Sequence, residues 1–198
     1  MVKDAMWNDF RPLCEDTRAQ VVVIGGGITG TLVAHELVRA GIDCCLVDGR
    51  TPATGSSCAS TALLQYEIDV PLCRMARLMP EQDAVTAYRS CLEVIDELER
   101  LFRETGVEAG FRRVPSVFYA SDRAGLRLLR EEHAMRCKHD LPAEFARRER
   151  IAEVAGFDAR AALVNDVSAQ MDAYRAVAGL LKYDLARGLR LFTHTEIV

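Results

Sequence analysis

A glycine-rich turn between an apolar strand and a helix constrains this chain more than any other feature. Four β-branched residues, Val21 to Ile24, are followed by the run from Gly25 to Gly30, GGGITG, which matches G-x-G-x-x-G. A helical pattern then leads to Gly41, and a second apolar run ends at Asp48. Strand, turn, helix, second strand and terminal acid in this order are typical of a βαβ unit with parallel strands, which binds a dinucleotide.

Each glycine of the motif has a physical task. Gly25 permits the tight turn off the strand, Gly27 lets the backbone approach a pyrophosphate, and Gly30 lets the helix pack closely against the strand. The helix N-terminus, with its unpaired N–H groups and partial positive charge, then receives the diphosphate. Asp48 is placed to accept hydrogen bonds from ribose hydroxyls, and its charge disfavours the 2′-phosphate of NADP. A glycine turn without a ligand is the alternative interpretation.

The segment after Asp48 favours FAD over NAD. Residues 49 to 62 are small, polar and irregular, and are expected to lie over the end of the sheet. An NAD domain would usually continue promptly to another helix and strand, whereas the hydroxyls and amides of residues 55 to 65 offer contacts to phosphate and then to a flavin ring. The alternative is a capping loop whose Ser and Thr side chains satisfy a helix N-terminus.

Further elements follow at helical or strand periodicity. A long amphipathic helix carries its apolar stripe from Val85 to Phe102 and ends at Gly106. The pattern then predicts a strand over 115–120, a charged helix over 122–139, a helix over 174–187 and a strand over 189–198.

Four segments resemble one family of flavoproteins. The runs VVVIGGGITGTLVAHELVRAGIDCCLVDGR and TGSSCASTALLQYEID resemble the N-terminal portion of the FAD-dependent oxidoreductases of the D-amino-acid oxidase and glycine oxidase superfamily. RVPSVFYAS resembles a strand of that family's substrate domain, and AQMDAYRAVAGLLKYDLARGLRLFTHTEIV resembles the return to its FAD domain. The resemblance implies an α/β fold, with a Rossmann-like FAD-binding domain built on a parallel sheet and part of an α+β substrate domain. The implied domains are 1–75 and 171–198 for FAD and 76–170 for substrate.

The resemblance also assigns residues to the cofactor FAD. The turn lines the pyrophosphate, Asp48 holds the adenosine ribose, and Arg50 flanks the adenosine half. Ser56 and Ser57 lie near the phosphates, residues 60–64 pass the flavin ring, and the backbone of Ile197 meets adenine. The implied set is Gly25, Gly27, Ile28, Thr29, Gly30, Asp48, Gly49, Arg50, Ser56, Ser57, Ser60, Thr61, Ala62, Leu63, Leu64 and Ile197. Gly49 departs from the family, since many relatives carry a larger residue there.

The activity implied by the resemblance is oxidation of a small amine or amino acid by hydride transfer to flavin N5. Because the flavin supplies the chemistry, no catalytic side chain and no metal ligand is expected here, and the four histidines are interpreted as surface or satisfied core residues. Relatives are considerably longer, so a truncated or shortened chain with weak FAD binding and little turnover is expected. A non-catalytic FAD-binding or assembly module and an NAD-dependent dehydrogenase are the alternatives.

Composition and charge exclude some classes of binding partner. The net charge of −4 argues against a nucleic-acid surface, and no apolar run is long enough for a membrane span. The N-terminus lacks the basic cap and apolar core of a secretory signal, and seven cysteines without metal-like spacing suit a reducing cytoplasm. The expected partners are a small amine or amino-acid substrate, and a second copy or another protein that covers the missing half.

Overall fold

The computed structural model describes residues 10–197, which form two compact units. The first unit contains the described chain up to Ala62, Leu101–Phe111 and the described chain from Met171 onward. The second unit contains Leu63–Arg100 and Arg112–Gln170. This division differs from the predicted domains, since residues 63–75 group with the second unit and 101–111 with the first. The functional assignment of the domains stays a prediction.

Strands and helices alternate through the first part of the chain. In chain order the elements are β1 (Val21–Ile24), α1 (Ile28–Arg39), β2 (Cys44–Val47), β3 (Leu63–Leu64), α2 (Leu72–Met75), α3 (Glu81–Thr105), β4 (Arg112–Arg113), β5 (Ser116–Tyr119), α4 (Arg123–Lys138), β6 (Glu144–Ala146), α5 (Arg148–Ala155), β7 (Ala162–Asn165), β8 (Ala169–Gln170), α6 (Ala173–Leu185) and β9 (Arg190–Phe192). A single turn of 3-10 helix, Ser56–Ala59, lies between β2 and β3.

The first unit is built on a parallel sheet of three strands in the order β1-β2-β9. Val21 pairs with Cys44 and Cys45 pairs with Arg190, both in parallel register. The predicted parallel pair and the α/β fold class are therefore confirmed. Helices α1 and α6 pack on this sheet through a core that includes Leu46 and Leu181. Burying this core removes apolar surface from water, which stabilises the packing of α1 on the sheet. The position of the turn between β1 and α1 is fixed as a result.

The last predicted strand is wrong in its length. The interpretation extended it over 189–198, whereas β9 ends at Phe192. Thr193 turns away from the ladder and donates its hydroxyl to the Phe10 carbonyl at 2.8 Å, and His194 adopts a positive φ of 52°. A strand requires negative φ, so the ladder ends there. Val198 lies outside the described residues.

The second unit contains two three-stranded antiparallel sheets, in the orders β3-β8-β4 and β5-β7-β6. Strand β7 is central in its sheet and all four of its residues are buried. The sequence interpretation did not predict β7, because ALVN is a short apolar run inside a charged region and shows no periodicity. The predicted helix over 122–139 is confirmed as α4, with Asp122 capping its start. Helix α3 is likewise confirmed, and it ends before Gly106 at a φ of 69°.

Of the apolar stripe that the periodicity predicts on α3, Val85, Tyr88, Ile95, Leu98 and Phe102 are buried, whereas Leu92 is only partly buried. None of the helices in the described part of the chain is long and apolar enough to cross a membrane.

Candidate dinucleotide site

The turn between β1 and α1 is closed by contacts of its glycines. Gly25 adopts a φ of 101°, a left-handed conformation that favours glycine, and its N–H donates to the Val47 carbonyl at 2.8 Å. A Cβ added to Gly30 would lie 1.9 Å from the Gly25 carbonyl oxygen. No side chain can occupy that space, so the first turn of α1 rests directly on the backbone that leaves β1.

Asp48 joins the end of β2 to the same turn. Its Oδ2 accepts from the Gly26 N–H at 2.6 Å, and its Oδ1 accepts from the Arg50 N–H at 2.7 Å. A carboxylate has about four lone-pair positions, so both oxygens retain capacity for further donors such as ribose hydroxyls. The acid that the sequence places at the end of β2 therefore lies against the glycine turn.

Ser57 caps helix α1 from the loop. Its buried hydroxyl accepts from the Ile28 N–H at 3.0 Å, and it would lie 3.3 Å from a Cβ on Gly27. This hydrogen bond is of the kind that the capping interpretation of the loop predicts. The same hydroxyl also stands at the helix N-terminus, where the N–H groups of Thr29 and Gly30 have no acceptor within the helix.

Residues from the end of the chain lie beside the acid. The Thr195 N–H donates to the Asp48 carbonyl at 3.1 Å, and Glu196 Cγ lies 3.6 Å from a Cβ placed on Gly49. That distance is ordinary van der Waals contact, so packing does not require glycine at position 49. Ile197 is 55% exposed beside this segment. The structure thus brings Thr195 and Glu196 into contact with Asp48 and the Gly49 position, and shows no contact of Ile197 with them.

The remaining predicted cofactor residues do not cluster around the glycine turn. Arg50, Ser56, Ser60 and Thr61 are exposed, and Arg50 extends its guanidinium over Gly55. Ala62 is buried with a φ of 48°. Leu63 and Leu64 form strand β3 and belong to the second unit, whereas the other predicted cofactor residues belong to the first.

Two positions of this site were missed from the sequence. Gly26 stands at a variable position of the motif, yet its N–H carries the bond to Asp48, and a Cβ there would lie 2.9 Å from the Pro52 Cβ. Ala53 donates its N–H to the Gly26 carbonyl at 3.0 Å and adopts a φ of 62°. The third consecutive glycine was the available signal for Gly26. No sequence signal marks Ala53.

The histidines have partners of their own. His35 is buried on α1, and its Nδ1 lies 2.9 Å from Asp184 Oδ1 on α6. His139 Nε2 lies 2.7 Å from Glu81 Oε1. Within residues 10–197 no group of three His, Cys, Asp or Glu side chains is arranged to hold a metal ion.

The described residues fit the diphosphate and ribose of a dinucleotide. No heavy atom lies within 4 Å of a Cβ added to Gly25, and α1 begins at Ile28 without a cap from its own N-cap residue, Gly27. An anion at that helix end meets backbone N–H groups and a favourable dipole. Asp48 stands at the end of the neighbouring strand with acceptor capacity to spare.

Comparison with known proteins agrees with this geometry. The family model described as FAD dependent oxidoreductase matches residues 20–198. The Bacillus subtilis (strain 168) protein named "Putative Rieske 2Fe-2S iron-sulfur protein YhfW" is 23% identical over 186 residues, which are 94% of this chain and 36% of that protein.

Two solved structures share the fold. The L-proline dehydrogenase from P. horikoshii superposes with a TM-score of 0.77 at 19% identity, over 93% of this chain and 46% of that one. The glycine oxidase from Geobacillus kaustophilus superposes with a TM-score of 0.71 at 19% identity, over 92% of this chain and 48% of that one. The chain therefore spans less than half the length of the proteins that it matches.

Proposed function

This chain belongs to the family of FAD-dependent oxidoreductases, and on that premise we propose that it holds the adenosine and pyrophosphate half of FAD and serves the oxidation of a small amine or amino acid. The observation that carries the proposal is the bond between Asp48 and the Gly26 N–H, because it places the acid that follows β2 against the glycine turn that leads into α1. The family match also decides between FAD and NAD, which the sequence motif alone left open.

Each part of the site has an assigned role in this proposal. The backbone of Gly25, Gly27 and Gly30, with Ile28 and Thr29, receives the pyrophosphate at the start of α1. Asp48 accepts from the ribose hydroxyls, with Gly49 and Arg50 beside it, and Ile197 meets adenine. Ser56 and Ser57 lie near the phosphates, and residues 60–64 run along the flavin.

The chemistry belongs to the cofactor. Bound FAD supplies a hydride acceptor at N5, and the residues of this chain bind and orient it. Amine oxidation is favoured over other substrates because the superposed structures are named for L-proline and glycine. Their names describe those proteins, and for this chain the substrate class is our proposal.

FAD binding tests the proposal directly. We expect the chain to bind FAD and the Asp48→Asn variant to bind it at least about tenfold more weakly, since hydrogen bonds to a charged group contribute roughly 1.5 to 3 kcal/mol. Titration followed by flavin fluorescence measures this. The matched control is Asp16→Asn, an exposed acid outside the site, which should bind as the wild type does. Equal affinity of the Asp48→Asn variant would contradict the proposal.

Reduction of the bound flavin by candidate substrates under anaerobic conditions tests the substrate class. Loss of the visible flavin absorption with glycine, sarcosine or proline, and not with glycerol 3-phosphate, is the expected result. The reverse preference would overturn the assignment to amines.

A second candidate function is a non-catalytic FAD-binding or assembly module. It is favoured by the apolar residues Val22 and Ile24, which are 52% and 68% exposed on β1, the strand at the edge of its sheet. Parallel sheets usually bury both faces, and an uncovered edge pairs readily with another chain. We infer that a second copy covers this strand.

Size-exclusion chromatography distinguishes this assembly from a monomer. An Ile24→Ser variant should elute at a smaller size than the wild type, because it removes the most exposed apolar side chain of β1. The control Val33→Ser changes a side chain of similar type, 47% exposed on α1, and should not change the elution. A wild type that elutes as a monomer would contradict the inference that a second copy covers β1.

A cytoplasmic location is also proposed. All seven cysteines lie in the described part of the chain and are free, as a reducing compartment would leave them. Fractionation of cells that express the tagged chain checks this, and recovery in the membrane or extracellular fraction would contradict it.

A further inference from the structure

A cavity of about 560 Å³ lies in the second unit, between helix α2 with the turn after it and the first half of helix α4. Cavities of this size hold small organic ligands. Three arginines and two acids share the cavity, in a chain whose net charge is −4. The lining includes Arg74, Arg77, Asp122, Arg127, Leu128 and Glu131.

Both acids of the cavity already have a donor. Asp122 accepts from the Gly125 N–H at 2.6 Å, and the partial positive charge at the N-terminus of α4 offsets its negative charge. Glu131 Oε2 accepts from Arg77 Nη2 at 3.0 Å. The contacts of the two acids therefore account for only one of the three arginines.

Arg74 and Arg127 are the two cations that lack a counter-ion. Neither side chain has a hydrogen bond, an ion pair or a ring contact within residues 10–197. Both are exposed, so a molecule that enters the cavity can reach them. The planar fork of a guanidinium binds phosphate or carboxylate through two parallel N–H bonds. The excess positive charge of the cavity thus resides on groups that are suited to an oxyanion.

Buried hydrogen bonds fix the two walls of the cavity. Glu132 on α4 accepts from the Leu72 N–H at 3.1 Å and from the Cys73 N–H at 2.8 Å, both on α2. Arg136 Nε donates to Glu132 Oε1 at 2.8 Å, and both of these side chains are buried. Because the backbone of α2 is held against α4 in this way, a ligand does not have to order the walls when it binds.

We propose that this cavity binds the phosphate group of a small organic phosphate monoester, with Arg74 and Arg127 as its cationic partners and the half-buried Leu128 against its carbon skeleton. A phosphate monoester carries nearly two negative charges at neutral pH, which matches the two guanidiniums, whereas a carboxylate carries one. The site uses none of the residues assigned to FAD, so the inference does not rest on the proposed function. Two ordinary solvated arginines are the competing interpretation.

Calorimetric titration of the whole chain tests the proposal. The probes are phenyl phosphate, benzoate, phenol and inorganic phosphate near pH 8, where a phosphate monoester carries two charges. We expect phenyl phosphate to bind with a dissociation constant of about 1 mM or tighter, and at least about fivefold more tightly than benzoate or phenol. Inorganic phosphate should bind more weakly than phenyl phosphate, because it makes no contact with Leu128. No binding of phenyl phosphate, or equal affinity for any of the other three probes, would overturn the proposal.

Variants of the two arginines locate the site. Arg74→Gln and Arg127→Gln each remove one cation, so each should lower the affinity for phenyl phosphate by about fivefold or more. Both side chains are exposed and make no contacts, so the variants should fold as the wild type does. The matched control Arg130→Gln removes the same charge from an exposed position on α4 outside the lining, and should change the affinity by less than about twofold. Unchanged affinity in the two variants, or an equal loss in the control, would overturn the site.

The same titration in the presence of excess FAD separates this inference from the proposed function. We expect FAD to leave the affinity for phenyl phosphate unchanged, because the residues assigned to FAD do not line this cavity. Displacement of phenyl phosphate by FAD would overturn the site in the second unit. A chain that binds phenyl phosphate as expected but does not bind FAD overturns the proposed function alone, and the reverse result overturns this inference alone.

Discussion

Gly30 leaves no room for a side chain, because its missing Cβ would overlap the Gly25 carbonyl oxygen. Replacement by alanine must displace either the first turn of α1 or the end of β1. We expect Gly30→Ala to lower the free energy of unfolding by about 2 kcal/mol or more, in the range of overpacking in a tight interior. Urea unfolding followed by circular dichroism measures the change.

Gly49→Ala is the matched control for this prediction. A Cβ at position 49 meets Glu196 Cγ at an ordinary 3.6 Å, so the free energy of unfolding should stay within about 0.5 kcal/mol of the wild type. Equal destabilisation by the two substitutions would show that the close contact at Gly30 does not govern the turn.

The sequence predicted the tight turn at Gly25 and the close packing of Gly30, because both depend on neighbours in the chain. The contacts of Ser57 and Gly26 could not be predicted in the same way. Ser57 meets Ile28 across 29 positions, and Asp48 meets Gly26 across 22. The Ser57 bond depends on how the loop folds back over the turn, and the Asp48 bond depends on how β2 pairs with β1, neither of which local spacing encodes.

At the scale of elements, α4 begins with a capped first turn. Asp122 accepts from the Gly125 N–H at 2.6 Å. Asp122→Ala should lower the free energy of unfolding by about 1 kcal/mol, the usual effect of losing such a cap. Glu131→Ala, an exposed change on the same helix, should alter it by less than about 0.5 kcal/mol. Thermal or urea unfolding of the two variants checks the difference, and equal effects would argue against capping.

Helices α1 and α6 are joined by a buried pair, His35 and Asp184. Burial raises the pKa of Asp184 above its ordinary 3.8, against the opposing hydrogen bond from His35. A raised pKa in the folded state means that the protonated carboxyl stabilises the fold at low pH. That contribution is lost as the pH rises through the folded-state pKa.

The wild type should therefore lose stability relative to Asp184→Asn as the pH rises from about 3.5 upward. Urea unfolding of both proteins across this acidic range measures the difference. The control Asp16→Asn, at an exposed position, should follow the wild type at every pH. A wild type that gains stability relative to Asp184→Asn as the pH rises would contradict the assignment.

Periodicity predicted the elements that are long enough for apolar residues to repeat several times at the same spacing. Helices α3 and α4 carry several turns of pattern, so both ends of α4 and the C-terminal end of α3 were predicted closely. Strand β7 has four residues and strand β9 has three, too few for a period to stand out. The end of β9 is set by the turn at His194, which is a tertiary effect.

At the scale of the whole molecule, the chain divides its predicted cofactor residues between two units. The adenosine and pyrophosphate set lies in the first unit, and Leu63 and Leu64 lie in the second. The fold class and the family were predicted from the sequence, since the βαβ unit and the loop after it are local signals. The division of the chain into units was not predicted residue by residue, because it depends on which segments pack together.

The central claim is that the first unit holds the adenosine diphosphate end of FAD. Competition for bound FAD by ADP and by FMN tests it most directly, since each competitor carries one end of the cofactor. The account predicts that ADP displaces FAD from the wild type and that FMN does not. Displacement by FMN without displacement by ADP, or the absence of any FAD binding to compete for, would contradict it.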